Sequence, residues 1–341
     1  MQKTTNKILI IGPSWVGDTI MAQCLFKLLK QIDPATQIDV LSPKFLHPLL
    51  QRMPEVNQTI DLNLKHKELG LIKRYKLAKS LTKKNYSQAI VLPNSLKSAL
   101  IPFFARIPLR TGWRGEWRYG LLNDLRILNK QHYPLMIERF MALGLPYEAT
   151  LPEAYPLPKL NINKELVNAT LKKFINSLDP AVKPRDKVLA LCPGAEYGSA
   201  KRWPAENFAH VAEKKRNENW QVWLFGGKKD EVIGQEIQNK TKARCVNLIG
   251  KTDLGEVTDL LSLTDFVITN DSGLMHVAAA LDLQTIAIYG STSPKFTPPL
   301  SNKVEILQSE LSCAPCFKRA CKFGHYKCLR EITPEQVLKL L

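Results

Sequence analysis

VITNDSGLMHVAAA, running from Val267 to Ala280, is the stretch on which the fold turns. Its opening residues end a short β-branched run, Asp265–Thr269, that reads as a buried strand. Its closing residues are small and apolar, and they read as a helix packing through Ala278–Ala280. Asp271 stands at the junction as the expected helix cap, and Ser272, Gly273 and Leu274 open the first turn. A strand feeding a helix start presents amide N–H groups and the positive end of a helix dipole together. That suits phosphate or sugar oxygens. His276 sits about one turn in, where it reads as either a ligand contact or a satisfied core histidine.

The same strand-then-helix unit recurs on both sides of this stretch. Apolar runs rich in Val, Ile and Leu fall at Val188–Cys192, Gln221–Phe225, Arg244–Leu248 and Thr285–Tyr289. In the first half they fall at Lys7–Gly12, Gln37–Leu41, Gln58–Asp61 and Gln88–Leu92, with a helix expected over Thr19–Lys30. Continuous hydrophobicity implies strands covered on both faces, as in a parallel sheet. Alternation with helices then predicts doubly wound α/β domains of Rossmann type. Pro146, Pro152, Pro156 and Pro158 crowd one short segment and mark the approach to a linker. The expected organisation is a Rossmann-like domain over 1–160 and a second over 161–330, facing each other across a cleft. The terminal helix in 331–341 is too short to stand alone and is expected to pack back on the first domain. Ligands of such sheets bind outside the carboxyl ends of the strands.

The 341 residues include 48 Lys and Arg against 31 Asp and Glu, a net charge of +17. A content of 45% hydrophobic and 23% charged residues excludes a disordered or collagenous chain. No run reaches the ~20 apolar residues that span a bilayer. The apolar run near the start, Ile8–Gly12, is shorter than the ~7–15 residues of a signal peptide. A soluble chain that stays in the cytoplasm is therefore expected. The excess charge is concentrated in residues 1–165, which carry twice as many basic as acidic residues. Lys65–Lys84 is its densest stretch, and it includes Lys73. Arg106, Arg110, Arg114 and Arg118 interleave with Trp113, Trp117 and Tyr119. Such a field serves nucleic acid, an anionic membrane or a phosphorylated substrate. No RNA-binding, zinc-finger or helix-turn-helix signature accompanies it, which makes nucleic acid the lesser reading.

Three further segments carry chemistry. The first strand ends in Gly12-Pro13-Ser14-Trp15-Val16-Gly17-Asp18-Thr19. This nearly copies a phosphate-binding P-loop, but Asp18 replaces the lysine, and a carboxylate there repels a triphosphate. Asp18 is left with two readings, a plain helix cap or a general base that takes a proton from an attacking hydroxyl. Cys192–Pro204 follows a strand, with Gly194 and Gly198 freeing its backbone. Glu196 lies in the same loop, and Lys201 and Arg202 come just before a helix, a natural diphosphate site. Between these, Gly226-Gly227-Lys228-Lys229-Asp230-Glu231 ends a strand with two acids able to accept from ribose hydroxyls. Cys313, Cys316, Cys321 and Cys328 cluster near the end with His325 among them. Their spacing admits a structural zinc, a redox-labile pair or free thiols.

Taken together, Ile10–Ile20, Ser98–Asp124, Cys192–Phe208, Thr269–Leu281 and Tyr289–Pro299 resemble the ADP-heptose:lipopolysaccharide heptosyltransferases, glycosyltransferase family 9. PGAEYGSAKRWP and NDSGLMHVAAAL are the most specific parts. The resemblance implies a GT-B fold and an inverting transfer of L-glycero-D-manno-heptose from ADP-heptose. The implied acceptor is the first heptose of heptosyl-Kdo2-lipid A, at the cytoplasmic face of the inner membrane, where the protein is peripheral. It places the catalytic base at Asp18 and the diphosphate cation at Lys201. Donor contacts are expected at Gly17, Thr19, Gly194, Glu196, Asp230, Glu231, Asp271, Ser272, Gly273, Leu274 and His276. The acceptor is expected at Arg106, Arg110, Arg114, Arg118 and Lys73. No catalytic metal is needed, because Lys201 and the amides of Ser272–Leu274 supply the positive charge. Two alternatives stand: a related heptosyltransferase acting at another core position, and a non-catalytic basic protein that grips RNA or anionic lipid.

Overall fold

A computed structural model describes residues 6–64, 68–174, 187–242 and 244–341. The chain divides into two compact units between Pro158 and Lys159. The first contains, in order, β1 (Lys7–Ile11), α1 (Val16–Ile32), β2 (Gln37–Ser42), α2 (His47–Leu50), β3 (Val56–Asp61) and α3 (Leu71–Thr82). It continues with β4 (Gln88–Val91), α4 (Leu96–Phe104), β5 (Leu109–Trp113), β6 (Asp124–Arg126) and α5 (Met136–Met141). The second contains α6 (Lys164–Phe174), β7 (Val188–Cys192), α7 (Ala205–Asn217), β8 (Gln221–Leu224), α8 (Glu231–Lys240) and β9 (Val246–Asn247). Then come α9 (Leu254–Leu261), β10 (Phe266–Asn270), α10 (Gly273–Ala280), β11 (Gln284–Tyr289), β12 (Val304–Gln308), α11 (Lys327–Arg330) and α12 (Pro334–Leu338).

Each unit is built on one parallel six-stranded sheet. The first runs β3-β2-β1-β4-β5-β6 and the second β12-β11-β10-β7-β8-β9. Counted from the first strand of each unit, both follow the doubly wound order 3-2-1-4-5-6. The central strands are apolar throughout because helices cover both faces. All five residues of β7 are buried, and so are Ile8–Ile11 of β1. Helix α1 is buried almost all round, from Thr19 to Leu29 with only Lys27 half-buried.

Three strands escaped the sequence pattern. β6 has only three residues, and β5 interrupts its apolar character with Arg110 and Gly112. β12 is a half-exposed edge strand pairing only with β11, so it needs no continuous apolar run. The terminal helix α12 is part of the second unit's core, with Val337 fully buried beside Trp203 and Phe208. Thr333 and Gln336 cap it reciprocally, and the Trp203 indole N–H donates to the Ile332 carbonyl at 2.8 Å. Among the described residues, no helix is long and apolar enough to cross a membrane.

Candidate active site

The second sheet changes direction between β7 and β10, so the loops leaving these two strands lie side by side. They are sewn together by a buried side chain. Asn270 donates to the Pro193 carbonyl at 2.7 Å and accepts the Trp203 amide at 2.9 Å. This joins the Pro193–Pro204 loop to the start of α10. The capping position there belongs to Ser272, not to Asp271 as expected, and no side chain caps the helix. Ser272 turns its hydroxyl toward that of Thr269, 3.3 Å away. Gly273 and Leu274 then form the first turn beside a half-exposed surface.

Asp271 has a different role. Its carboxylate is buried and accepts the Lys201 ammonium at 2.5 Å and the Thr292 hydroxyl. Lys201 also sits over the Tyr197 ring, 5.0 Å from its centroid. His276 lies within the electrostatic reach of this pair and is 5% exposed. Burial pushes the imidazole down to about 4; Asp271 opposes that shift and Lys201 adds to it. At neutral pH the ring is therefore uncharged, and the fixed cation of the cluster is Lys201. An ammonium and an uncapped helix start each attract anions.

The remaining donor candidates separate by what they touch. A Cβ on Gly194 would fall 2.2 Å from an Asp230 oxygen, so only glycine lets the loop lie against that carboxylate. Asp230 itself accepts from Arg202 at 3.3 Å and from the Gly227 amide at 3.1 Å. Burial raises its pKa, with the Gly227 amide and Arg202 opposing. It serves as a lock between the loops after β7 and β8. Glu231 is exposed beside Gly250, and Glu196 is exposed and paired with Lys229.

The loop after β7 also rests on the cysteine-bearing segment, a support the sequence did not reveal. The Ala200 amide donates to the Arg319 carbonyl at 3.1 Å, and the Tyr197 hydroxyl donates to the Phe317 carbonyl at 2.7 Å. Gly198, at φ +154°, passes so close that a Cβ would stand 2.2 Å from the Arg319 oxygen. The chain between Cys316 and Cys321 is thus committed to buttressing the loop. All four terminal cysteines are free thiols. Among the described residues no group of three or more His, Cys, Asp or Glu side chains is placed to hold a metal ion. Cys321 instead approaches the His325 ring at 4.0 Å.

In the first unit, Asp18 is the third residue of α1, half-exposed in its first turn, and Trp15 holds the capping position. Asp18 therefore does not occupy the cap position itself but lies in the first turn, where a carboxylate faces the positive end of the helix. Gly17 is the second helical residue. Thr19 is buried, its hydroxyl donating to the Trp15 carbonyl at 2.9 Å, so its side chain faces its own helix and not a donor.

The arginine series also splits. Arg118 is 0% exposed and donates to the carbonyls of Pro93 and Trp113 and to Asn94. Burial lowers its guanidinium to about 10, against the pull of Glu116. Arg110 donates to the Leu121 and Ile107 carbonyls, both at 2.7 Å. Both brace loops of the first unit, Arg118 from the interior, where it cannot meet an acceptor, and Arg110 from a half-buried position. Arg106 and Arg114 are exposed, and Lys73 is exposed and paired with Glu68 at 2.9 Å. Lys65, at the start of the basic stretch, lies outside the described residues. Trp117 stands out at 85% exposure, on a loop held by Arg118 and by Glu116, which accepts the Leu96 amide at 2.8 Å.

Two doubly wound domains in one chain, the second with a cation and a helix start at its switch point, match the architecture of the GT-B glycosyltransferases. Comparison with known proteins narrows this. The pattern of glycosyltransferase family 9 (heptosyltransferase) matches residues 74–327. Lipopolysaccharide heptosyltransferase 2 of Salmonella typhimurium is 46% identical over 339 residues, which cover 98% of this chain and 97% of that one. Lipooligosaccharide heptosyltransferase 2 of Haemophilus influenzae is 46% identical over 343 residues, 98% of each chain. The structure of Escherichia coli ADP-heptose lipopolysaccharide heptosyltransferase II matches with a TM-score of 0.87 at 42% identity, covering 98% of this chain and 97% of that one. The chain belongs to glycosyltransferase family 9, the heptosyltransferases.

Proposed function

We infer that this chain adds the second heptose of the lipopolysaccharide inner core. It moves L-glycero-D-manno-heptose from ADP-heptose to the first heptose of heptosyl-Kdo2-lipid A, with inversion. The observation that carries the donor half is Lys201, held by buried Asp271 beside the uncapped start of α10. The identity to named heptosyltransferases across nearly the whole chain supports the sugar and the acceptor.

The chemistry is a single displacement. Asp18 takes the proton of the acceptor hydroxyl as that oxygen forms its bond to the anomeric carbon. The bond from that carbon to the diphosphate oxygen breaks on the opposite face, and its electron pair leaves with ADP. Lys201 and the amides of Ser272–Leu274 meet the negative charge as it develops, a task that divalent cations perform in other transferases. Arg106, Arg114 and Lys73, with half-buried Arg110, are the cations of this series that meet a phosphorylated acceptor. The acceptor is lipid-linked, so the protein works as a peripheral protein at the cytoplasmic face of the inner membrane, in keeping with its basic first unit.

The test is product analysis in the presence of a metal chelator. ADP-heptose and heptosyl-Kdo2-lipid A are expected to yield free ADP and an acceptor heavier by one heptose. The reading fails if no ADP is released, or if UDP- or GDP-sugars serve equally well. Loss of activity with the chelator alone would overturn the metal-free scheme.

A further inference from the structure

Helix α3 breaks the usual rule for a surface helix. Its inner line is Arg74, Ala78 and Leu81, all buried, with Arg74 donating to the Leu69 carbonyl at 2.7 Å. Polar residues are expected opposite that line. Instead Ile72 is 73% exposed there, and Leu71 and Tyr75 on the flank toward α4 are also exposed. The apolar surface continues onto α4. The Tyr75 and Phe104 rings meet edge-on at 5.6 Å, and Phe103, itself exposed, meets Phe104 at 5.7 Å. Leu69, just before the helix, adds a further exposed apolar side chain. Lysines share the face. Ile72, Lys76, Lys79 and Lys83 follow one another at helical spacing, and all are exposed. Arg106 extends the positive charge beyond the end of α4. The described acid nearest in sequence, Glu68, is already paired with Lys73.

We propose that this α3–α4 face is the surface by which the protein rests on an anionic phospholipid bilayer. The inference rests on the reading of the chain as a peripheral enzyme with a lipid-linked acceptor. It goes further in naming the surface and its partner. A shallow patch of Ile, Leu, Phe and Tyr suits insertion to the level of the headgroups. Lysine stems extend along such apolar surface while their ammonium groups reach lipid phosphates. Exposed lysines at Lys76, Lys79 and Lys83, with Glu68 beside them paired to Lys73, are complementary to an anionic membrane. Nucleic acid has no use for exposed Leu71 and Ile72, and an acidic protein partner has little use for their shallow spread along a lysine stripe.

The probe is sedimentation with vesicles of phosphatidylcholine alone and of phosphatidylcholine with an equal amount of phosphatidylglycerol. The full-length protein is expected to bind the second kind and to release as salt rises. Changing Lys76, Lys79 and Lys83 together to Gln is expected to weaken that binding on the order of 100-fold, roughly fivefold per lysine. Ile72→Glu is expected to weaken it about tenfold. Both variants change exposed side chains, and their unfolding temperatures should match that of the parent. Turnover of a deacylated, water-soluble acceptor should stay unchanged in both, while turnover of acceptor embedded in anionic vesicles falls. Equal binding to both kinds of vesicle, or variants that bind like the parent, overturns the proposal. So does a change of oligomeric mass in Ile72→Glu, which assigns the face to a second copy. Absence of transfer to either acceptor, with charge-dependent vesicle binding intact, sinks the enzymatic reading and leaves this surface standing.

Discussion

Compared strand by strand, the two units are the same scaffold carrying opposite charge at the same place. In both sheets the first and fourth strands lie side by side, β1 with β4 and β7 with β10. After β1 the chain turns into α1 and presents Asp18 in the first turn. After β7 it makes a longer, braced loop and presents Lys201. After β4 the loop is pinned by a buried arginine, whereas after β10 a carboxylate is buried and an ammonium pinned to it. The topology decides where chemistry can occur, and a few loop residues decide its sign. The first unit is left with a half-exposed acid and a basic, aromatic surface. The second is left with a cation at a helix start.

This division of labour can be broken at either unit. The largest effect is expected at Asp18. Asp18→Asn keeps the shape of the side chain and removes the base, and transfer should fall about 10²–10⁴-fold in a steady-state assay. A smaller loss would make the acid a positioning group only. Next comes Arg118, which sequence reasoning placed on the acceptor surface and the structure places in the interior. Arg118→Met leaves the acceptors at Pro93, Trp113 and Asn94 without their donor. It should cost about 3 kcal/mol or more in denaturant unfolding. If instead it folds normally and loses only acceptor affinity, the buried assignment is wrong.

His276 gives a matching test in the second unit. Its pKa is lowered from 6.5 to about 4 in the folded chain. Between those values the unfolded chain holds a proton that the folded one refuses. Stability therefore falls as pH drops through that window, by up to about 3 kcal/mol. His276→Gln should flatten this slope by one proton, which urea titrations at several pH values would measure. The smallest effect is expected at exposed Arg114, where Arg114→Ala should raise the acceptor KM severalfold and leave kcat nearly unchanged.

Much of this was legible before any coordinates. The apolar runs at Lys7–Gly12, Gln88–Leu92, Val188–Cys192 and Asp265–Thr269 stand out because central parallel strands are buried on both faces. β12 was not legible, since an edge strand such as Val304–Gln308 is free to carry Glu305. Lys201 and Asp271 were each visible in a motif, but their pairing joins residues 70 apart and follows only from the crossover order. Thr292 and the Arg319 buttress were missed for the same reason. Ser291 and Thr292, just past Gly290 at the end of β11, were the available signal for Thr292. Arg118 was misread because arginine among aromatics has the same spacing whether it faces a ligand or braces a loop.

The division of labour is tested most directly by calorimetric titration of ADP into the parent, Lys201→Ala and Asp18→Asn proteins. Asp18→Asn should bind ADP as the parent does, while Lys201→Ala binds at least about tenfold more weakly, a loss of roughly 1.4 kcal/mol. Parental affinity in Lys201→Ala, or weakened binding in Asp18→Asn alone, would contradict it.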